Sequence, residues 1–463
     1  MNSILNIKSK TRFLFFSFCF SYCSITAQVK VYPNPDPDNK SGFNLQSAVF
    51  KVQVIQNGKA VESFVYSSKA NFEKPELLSD FNHWTTFECN GRVEVCVTRL
   101  DGDISAAKVY PAKHNITPVV KKNELRFSIT KPAKLFVDIA GMEEHPLFLF
   151  ADEVEKNIPS KKDKNVIWFE AGKVHNVGLQ YKVPNGKTVY IEGGAVVWGT
   201  FWCEDGDKPT VIKGKGVITT RSDERKPGPT NIPFTTVYGV NTDMVIEGIT
   251  ITDPVKFCIL GRSKVATKNV KLFAWYHQTD GWGGGDDSFI DDSFIKVFDD
   301  NVKLYANRQK ATNLVIYQQH NGAPFQLSWG GQSGQNCLAD NIDIVKCWVN
   351  KKGGEGNSGL LNLRKGSDKF IGNITIKNIR ADQGIYQLIG FGNDKGGTVK
   401  NVTLQNIVIT GGQQQAAYIS GSNNAITENI NIINVRLNDA CYSMNDLKIS
   451  GIEKKQVNIK CKQ

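Results

Sequence analysis

NITIKNI from Asn373, NVTLQNIVI from Asn401 and NINIINV from Asn429 repeat one pattern, an Asn followed by alternating β-branched residues. NIDIV at Asn341 opens the series, and subtraction places the four starts 32, 28 and 28 residues apart. Earlier copies are NVKLF at Asn269 and NLVIY at Asn313. No helical stretch lies between the copies, so each repeat reads as one coil of short strands in a solenoid. The expectation is a parallel β-helix. Val, Ile and Leu would point inward and each turn Asn would stack on its neighbour one coil away. The outward side chains would form a long face suited to an extended polymer.

Working outward, VIWFEAGKVH from Val166, TVYIEGGAVVWGTFW from Thr188 and TVIKGKGVITT from Thr210 read as the opening coils. The stretch EVEKNIPSKKDKN before them is charged, holds a proline and reads as a connector. Upstream, from Gln28 to about Asp152, short alternating runs such as AVFKVQVIQNG, WTTFECNGRVEVCVTRL, LRFSIT and KLFVDI are separated by turn residues. That is the pattern of an antiparallel sandwich. The fold class is therefore all-β, with an N-terminal β-sandwich over 28–155 followed by a β-helix domain over 156–463.

Residues 1–27 place Lys8, Lys10 and Arg12 before an apolar run and end in small residues near Ala27. This is the layout of a cleaved signal peptide, which implies a secreted or periplasmic protein and leaves retention at the cell surface open. No second long apolar run follows, so no membrane span is expected. The formal charge of +11 is spread along the chain and reads as a solubilising surface, not as a nucleic-acid site. It leaves an anionic substrate open. Cys89 with Cys96, and Cys441 with Cys461, are near enough to pair, whereas Cys203, Cys258 and Cys347 sit in apolar runs as candidate buried thiols. No Cys/His spacing suits zinc.

Candidate chemistry concentrates in WYHQTDGWGGGDDSFIDDSFIKVFDDNVKLY, from Trp275 to Tyr305. Asp280 precedes Asp299 and Asp300 by about one short coil, which would crowd three carboxylates on adjacent turns. Crowding raises at least one carboxyl pKa, and glycoside hydrolysis needs such an acid together with a second carboxylate. Consecutive Asp299 and Asp300 can share a cleft only at a turn or bulge. Lys303 could neutralise the carboxylates or bind a hydroxyl, His320 could orient one of them, and Tyr276, Trp282 and Trp329 could stack on sugar rings. Calcium is a rival for the Asp-rich loop 280–292, but the EF-hand ligand order is missing and no metal or other cofactor is expected.

The elements QTDG (278–281), DDNVK (299–303), QHN (319–321) and PFQLSW (324–329) resemble the active-site run of glycoside hydrolase family 49. That family contains dextranases and is distantly similar to the family 28 polygalacturonases. IWFEAGKV and YIEGGAVVWGTF resemble its entry into the helix. The resemblance implies a right-handed β-helix and inverting hydrolysis, with Asp299 as general acid and Asp280 and Asp300 acting on the water. It also implies sugar contacts from PFQLSW, Gln326 among them. The substrate would be an extracellular polysaccharide cleaved in endo fashion, dextran-like α-glucan being the family default. His320 lies in Gln-His-Asn-Gly where polygalacturonases carry Gly-His-Gly, and their Arg-x-Lys element has no counterpart. A hydrolase of acidic or sulfated galactan or pectin-like chains is the alternative enzyme, and a non-catalytic carbohydrate-binding β-helix is the alternative outside enzymes.

Overall fold

The structure is a computed structural model that describes residues 29–69, 81–221, 223, 229–276, 278–319, 321–347, 349, 357, 359–364, 368–393, 395–422 and 424–461. The signal segment 1–27 and His320 lie outside the described residues.

The alternating N-terminal runs form two sheets. Phe50–Gln56 buries every second residue and pairs antiparallel with Lys59–Ser63 and Val93–Arg99, and the sheet continues through Glu124–Ile129 to Val119–Lys121. The second sheet runs Lys30–Val31, Phe81–Glu88, Leu147–Asp152, Ala133–Ile139 and Ala107–Tyr110, with Val65–Lys69 also on Phe81–Glu88. One pairing departs from the antiparallel expectation, because Leu147–Asp152 runs parallel to Phe81–Glu88. Leu147–Asp152 is buried along its whole length. Leu147 and Leu149 enter the sandwich core, while Phe148 and Phe150 pack with Trp84 and Phe136 against Phe273, Phe294 and Tyr317 of the helix. A strand covered on both faces reads as a continuous apolar run, as LFLFA does.

Among the described residues from Val166–Phe169 onward, 29 strands join in one sheet in chain order, and apart from a short antiparallel hairpin at Arg436–Cys441 their pairing is parallel. This is a parallel β-helix with three stacks of strands, as the Asn-led repeat predicts. Inward Val, Ile and Leu from successive coils form a single continuous core. The repeat Asn residues 269, 313, 341, 373, 401 and 429 all adopt left-handed backbone, which Asn tolerates at turns. Their amides form ladders: Asn341 donates to Asn313, Asn401 to Asn373 and Asn429 to Asn401 at 2.6–2.9 Å.

Cys441 and Cys461 form a disulfide, and Cys203, Cys258 and Cys347 are buried free thiols. Cys89 and Cys96 do not pair. Cys89 enters the sandwich core between its neighbours, whereas Cys96 alternates with the inward Val95 and Val97 and so points the other way.

Candidate active site

Register brings the aspartates together. Trp282–Gly283 pairs with Val302–Lys303, Trp282 opposite Val302 and Gly283 opposite Lys303. Asp280 and Asp300 each stand two residues before these strands and therefore share a column on adjacent coils. The chain bends at Phe298 and Asp299, which lets two consecutive carboxylates face one place. One oxygen from each of Asp280, Asp299 and Asp300 lies within 4.8 Å of the others. The next coil passes close behind them. The carbonyl of Phe298 accepts the N–H groups of Asn321 and Gly322, and a Cβ on Gly322 would sit 1.7 Å from the Asp299 carbonyl oxygen, so only glycine fits there.

Lys303 stands between two of the carboxylates, its Nζ 3.1 Å from Asp280 Oδ1 and 3.0 Å from Asp300 Oδ2. Its ammonium also lies over the rings of Phe257 and Tyr305. The Asp300 N–H donates to Asp280 Oδ1 and to Asp299 Oδ1, and the Gln278 N–H donates to Asp299 Oδ2 at 2.7 Å. Burial, then the charge of Asp300, pushes the Asp299 carboxyl up to about 6, with Lys303 and the two N–H groups opposing. Burial also holds Asp280 above the usual carboxylate range. Burial pulls the Lys303 ammonium down, but Asp280 and Asp300 outweigh it and hold Lys303 well above its ordinary value. Three crowded carboxylates, Asp280 and Asp300 buried and Asp299 half-buried, do not all ionise together around one ammonium, and their proton belongs to the trio. Asp280 and Asp300 each pair with Lys303, whereas among the described residues Asp299 pairs with no cation, and Asp299 is where we place the proton.

The trio has metal-ligand spacing, yet Lys303 already provides the cation, and a divalent ion would have to displace it. The loop that invited calcium is otherwise engaged. Asp286 and Asp287 bind Arg308, Asp291 accepts from Thr312 and Asn313, and Asp292 pairs with Lys134.

Two expected sugar contacts are corrected. Trp282 is fully buried in the helix core, because its strand partner Val302 is also inward, and its indole N–H donates to Thr267. Gln326 stands beside Lys303 on the outward row, yet it is fully buried, its Nε2 bonded to Asn357 and its Oε1 to Asn362. Tyr276 is buried at the turn leading to Asp280. Trp329 is 41% exposed, with the Arg364 guanidinium over its ring. Sequence reasoning missed Asn357, whose amide lies 3.5 Å from Asp300, and Tyr305, whose hydroxyl lies 3.5 Å from Lys303. The alternation Lys303-Leu304-Tyr305 was the available signal for the second.

No family model matches the chain. Over 248 residues it is 24% identical to a dextranase of Arthrobacter globiformis, covering 46% of this chain and 39% of that one. Over 149 residues it is 26% identical to an isopullulanase of Aspergillus niger, covering 28% of this chain and 26% of that one. The chain therefore spans about two fifths or less of the length of these relatives. Among solved structures, Dex49A from Penicillium minioluteum superposes with a TM-score of 0.68 at 14% identity, covering 93% of this chain and 96% of that one. The chain is thus similar to dextranases in sequence and to Dex49A in fold, in keeping with the resemblance read from its motifs.

Proposed function

We propose that the chain is a secreted, endo-acting glycoside hydrolase that cleaves α-glycosidic bonds of an extracellular polysaccharide, with dextran-like α-glucan as the first substrate to test. The observation that carries this is the Asp280–Asp299–Asp300 trio, two of its carboxylates buried and Asp299 half-buried, closed by Lys303. Asp299 donates its proton to the leaving glycosidic oxygen, while Asp280 or Asp300 takes a proton from the water that attacks the anomeric carbon. The dextranase and isopullulanase relatives support an α-glucan, and the Cys441–Cys461 disulfide suits an oxidising compartment. Among the described residues no helix is long and apolar enough to cross a membrane.

Inversion is proposed from the family resemblance. The short spacing of the trio favours a second reading, because inverting pairs usually stand about 6.5–9.5 Å apart and retaining pairs about 5–5.5 Å apart. Proton NMR of the first anomer released separates the two courses. Reducing-end release from dextran, pullulan, polygalacturonate and sulfated galactan tests the substrate class. Binding without turnover on every polymer would leave the carbohydrate-binding alternative standing.

Lys303→Met removes the cation that, among the described residues, pairs with Asp280 and Asp300. The acidic limb of the kcat/KM profile, set by ionisation of the water-activating carboxylate, is expected to move up by about one pH unit or more. An unchanged limb would mean that Lys303 does not set the charge of the water-activating carboxylate.

A further inference from the structure

Gln278 opens the QTDG element with φ at +64°, a left-handed conformation that residues other than glycine seldom adopt. This backbone aims the Gln278 N–H at Asp299 Oδ2, 2.7 Å away. The Gln278 side chain is held in turn, because Lys256, buried one coil earlier, donates from Nζ to its Oε1 at 2.9 Å. Lys256 Nζ also lies over the Phe257 ring, whose other neighbour is Lys303. Strained backbone persists where surrounding contacts over-determine it, and such sites cluster where chemistry is done.

From the hydrolytic role given above for Asp299, we infer that Lys256 is a positioning residue that acts through Gln278: it clamps the side-chain amide, keeps the backbone left-handed, and so delivers an N–H to the general acid. Among the described residues Lys256 reaches Gln278 and the Phe257 ring, not the carboxylates of the trio. The N–H favours ionised Asp299 and restrains the carboxyl, so the clamp controls both the strength of the acid and its aim. The charged groups facing Asp299 among the described residues are Asp280, Asp300 and Lys303.

Lys256→Met should lower kcat about tenfold with KM within about twofold, and should move the alkaline limb of the pH profile upward, because a lost donor weakens the ionised form. Gln278→Gly keeps the N–H and adopts positive φ freely but loses the clamped amide, whereas Gln278→Val, which resists positive φ, should lose activity outright. In the Gln278→Gly background, Lys256→Met should have no further effect, since the clamp has nothing to hold. Additive losses, or an unmoved limb in Lys256→Met, would overturn the clamp. The Asp299 carboxyl can also be titrated by 13C NMR in labelled protein, with Asp299→Asn assigning the resonance. An upward shift in Lys256→Met supports the clamp even if no polysaccharide is cleaved, and an unshifted resonance overturns it. A wild type that cleaves nothing counts against the hydrolase reading alone. A wild type that is active, silenced by Asp299→Asn and indifferent to Lys256→Met counts against the clamp alone.

Discussion

Asp299→Asn should reduce kcat about 10³-fold on a polysaccharide, within the range that a positioned general acid supplies. The amide keeps the size of the carboxyl and can accept from one of its two N–H donors, Gln278 or Asp300, but it has no acidic proton to give the leaving oxygen. Two further signatures belong to an acid and not to a merely structural residue. An aryl α-glycoside with an acidic phenol as leaving group needs little protonation, so the variant should lose far less activity on it than on polymer. The wild-type alkaline limb should lie near 6, where burial and the charge of Asp300 place the Asp299 carboxyl, and it should vanish in the variant. Activity falls as pH rises through that value because the protonated form is the active one. Reducing ends released at the wild-type rate would remove Asp299 from the role and return the question to Asp280, which burial also holds above the usual range.

The β-helix was legible because its signal is periodic: the Asn-led runs from Asn341 onward keep nearly constant spacing, and a misread residue does not disturb the rest. The catalytic coils were harder to read. Their register partners Ile259, Trp282, Val302, Phe325 and Leu361 are separated by 23, 20, 23 and 36 residues, by subtraction along the ladder. With unequal coils, which residues share a column does not follow from spacing. Lys256 could not be matched with Gln278, nor Asn357 with Asp300. Asp280 and Asp300 were found because carboxylates one short coil apart carry chemical meaning of their own. Trp282 was misread for a related reason. The fit of an aromatic face to a sugar ring suggested a contact, yet in a strand of two residues the inward position goes to whichever side chain continues the Val302 and Phe325 column. Gln326 shows the converse: an outward-row position does not mean access when Asn357 and Asn362 close over the amide.

The largest stability effect is expected at the junction of sandwich and helix. Asp152, the last residue of Leu147–Asp152, accepts from Lys215 at 2.6 Å and from Lys271 at 2.7 Å, and all three side chains are buried. Asp152→Asn leaves two ammonium groups sharing one neutral amide. Removing one partner of a buried ion pair costs about 3–5 kcal/mol, so the variant should unfold at markedly lower denaturant or temperature. Burial alone would raise the Asp152 carboxyl, but Lys271, Lys215 and Lys134 outweigh it and hold it below the usual range. Its contribution is therefore present above the unfolded value of about 3.9 and is lost as pH falls through the lower folded value. The gap between wild type and variant should be widest near neutral pH and should narrow in acid. Replacing the trio together, as Asp152→Leu with Lys215→Met and Lys271→Met, removes the charges along with their desolvation cost, and well-packed apolar replacements of buried ion pairs are often neutral or stabilising. If the triple variant is more stable than Asp152→Asn, the loss in the single variant comes from stranded lysines and the junction is held by its aromatic contacts, Phe148 on Phe294 at 4.9 Å and Trp84 on Phe273 at 5.2 Å. If both variants fall equally, the ion pairs themselves hold sandwich and helix together.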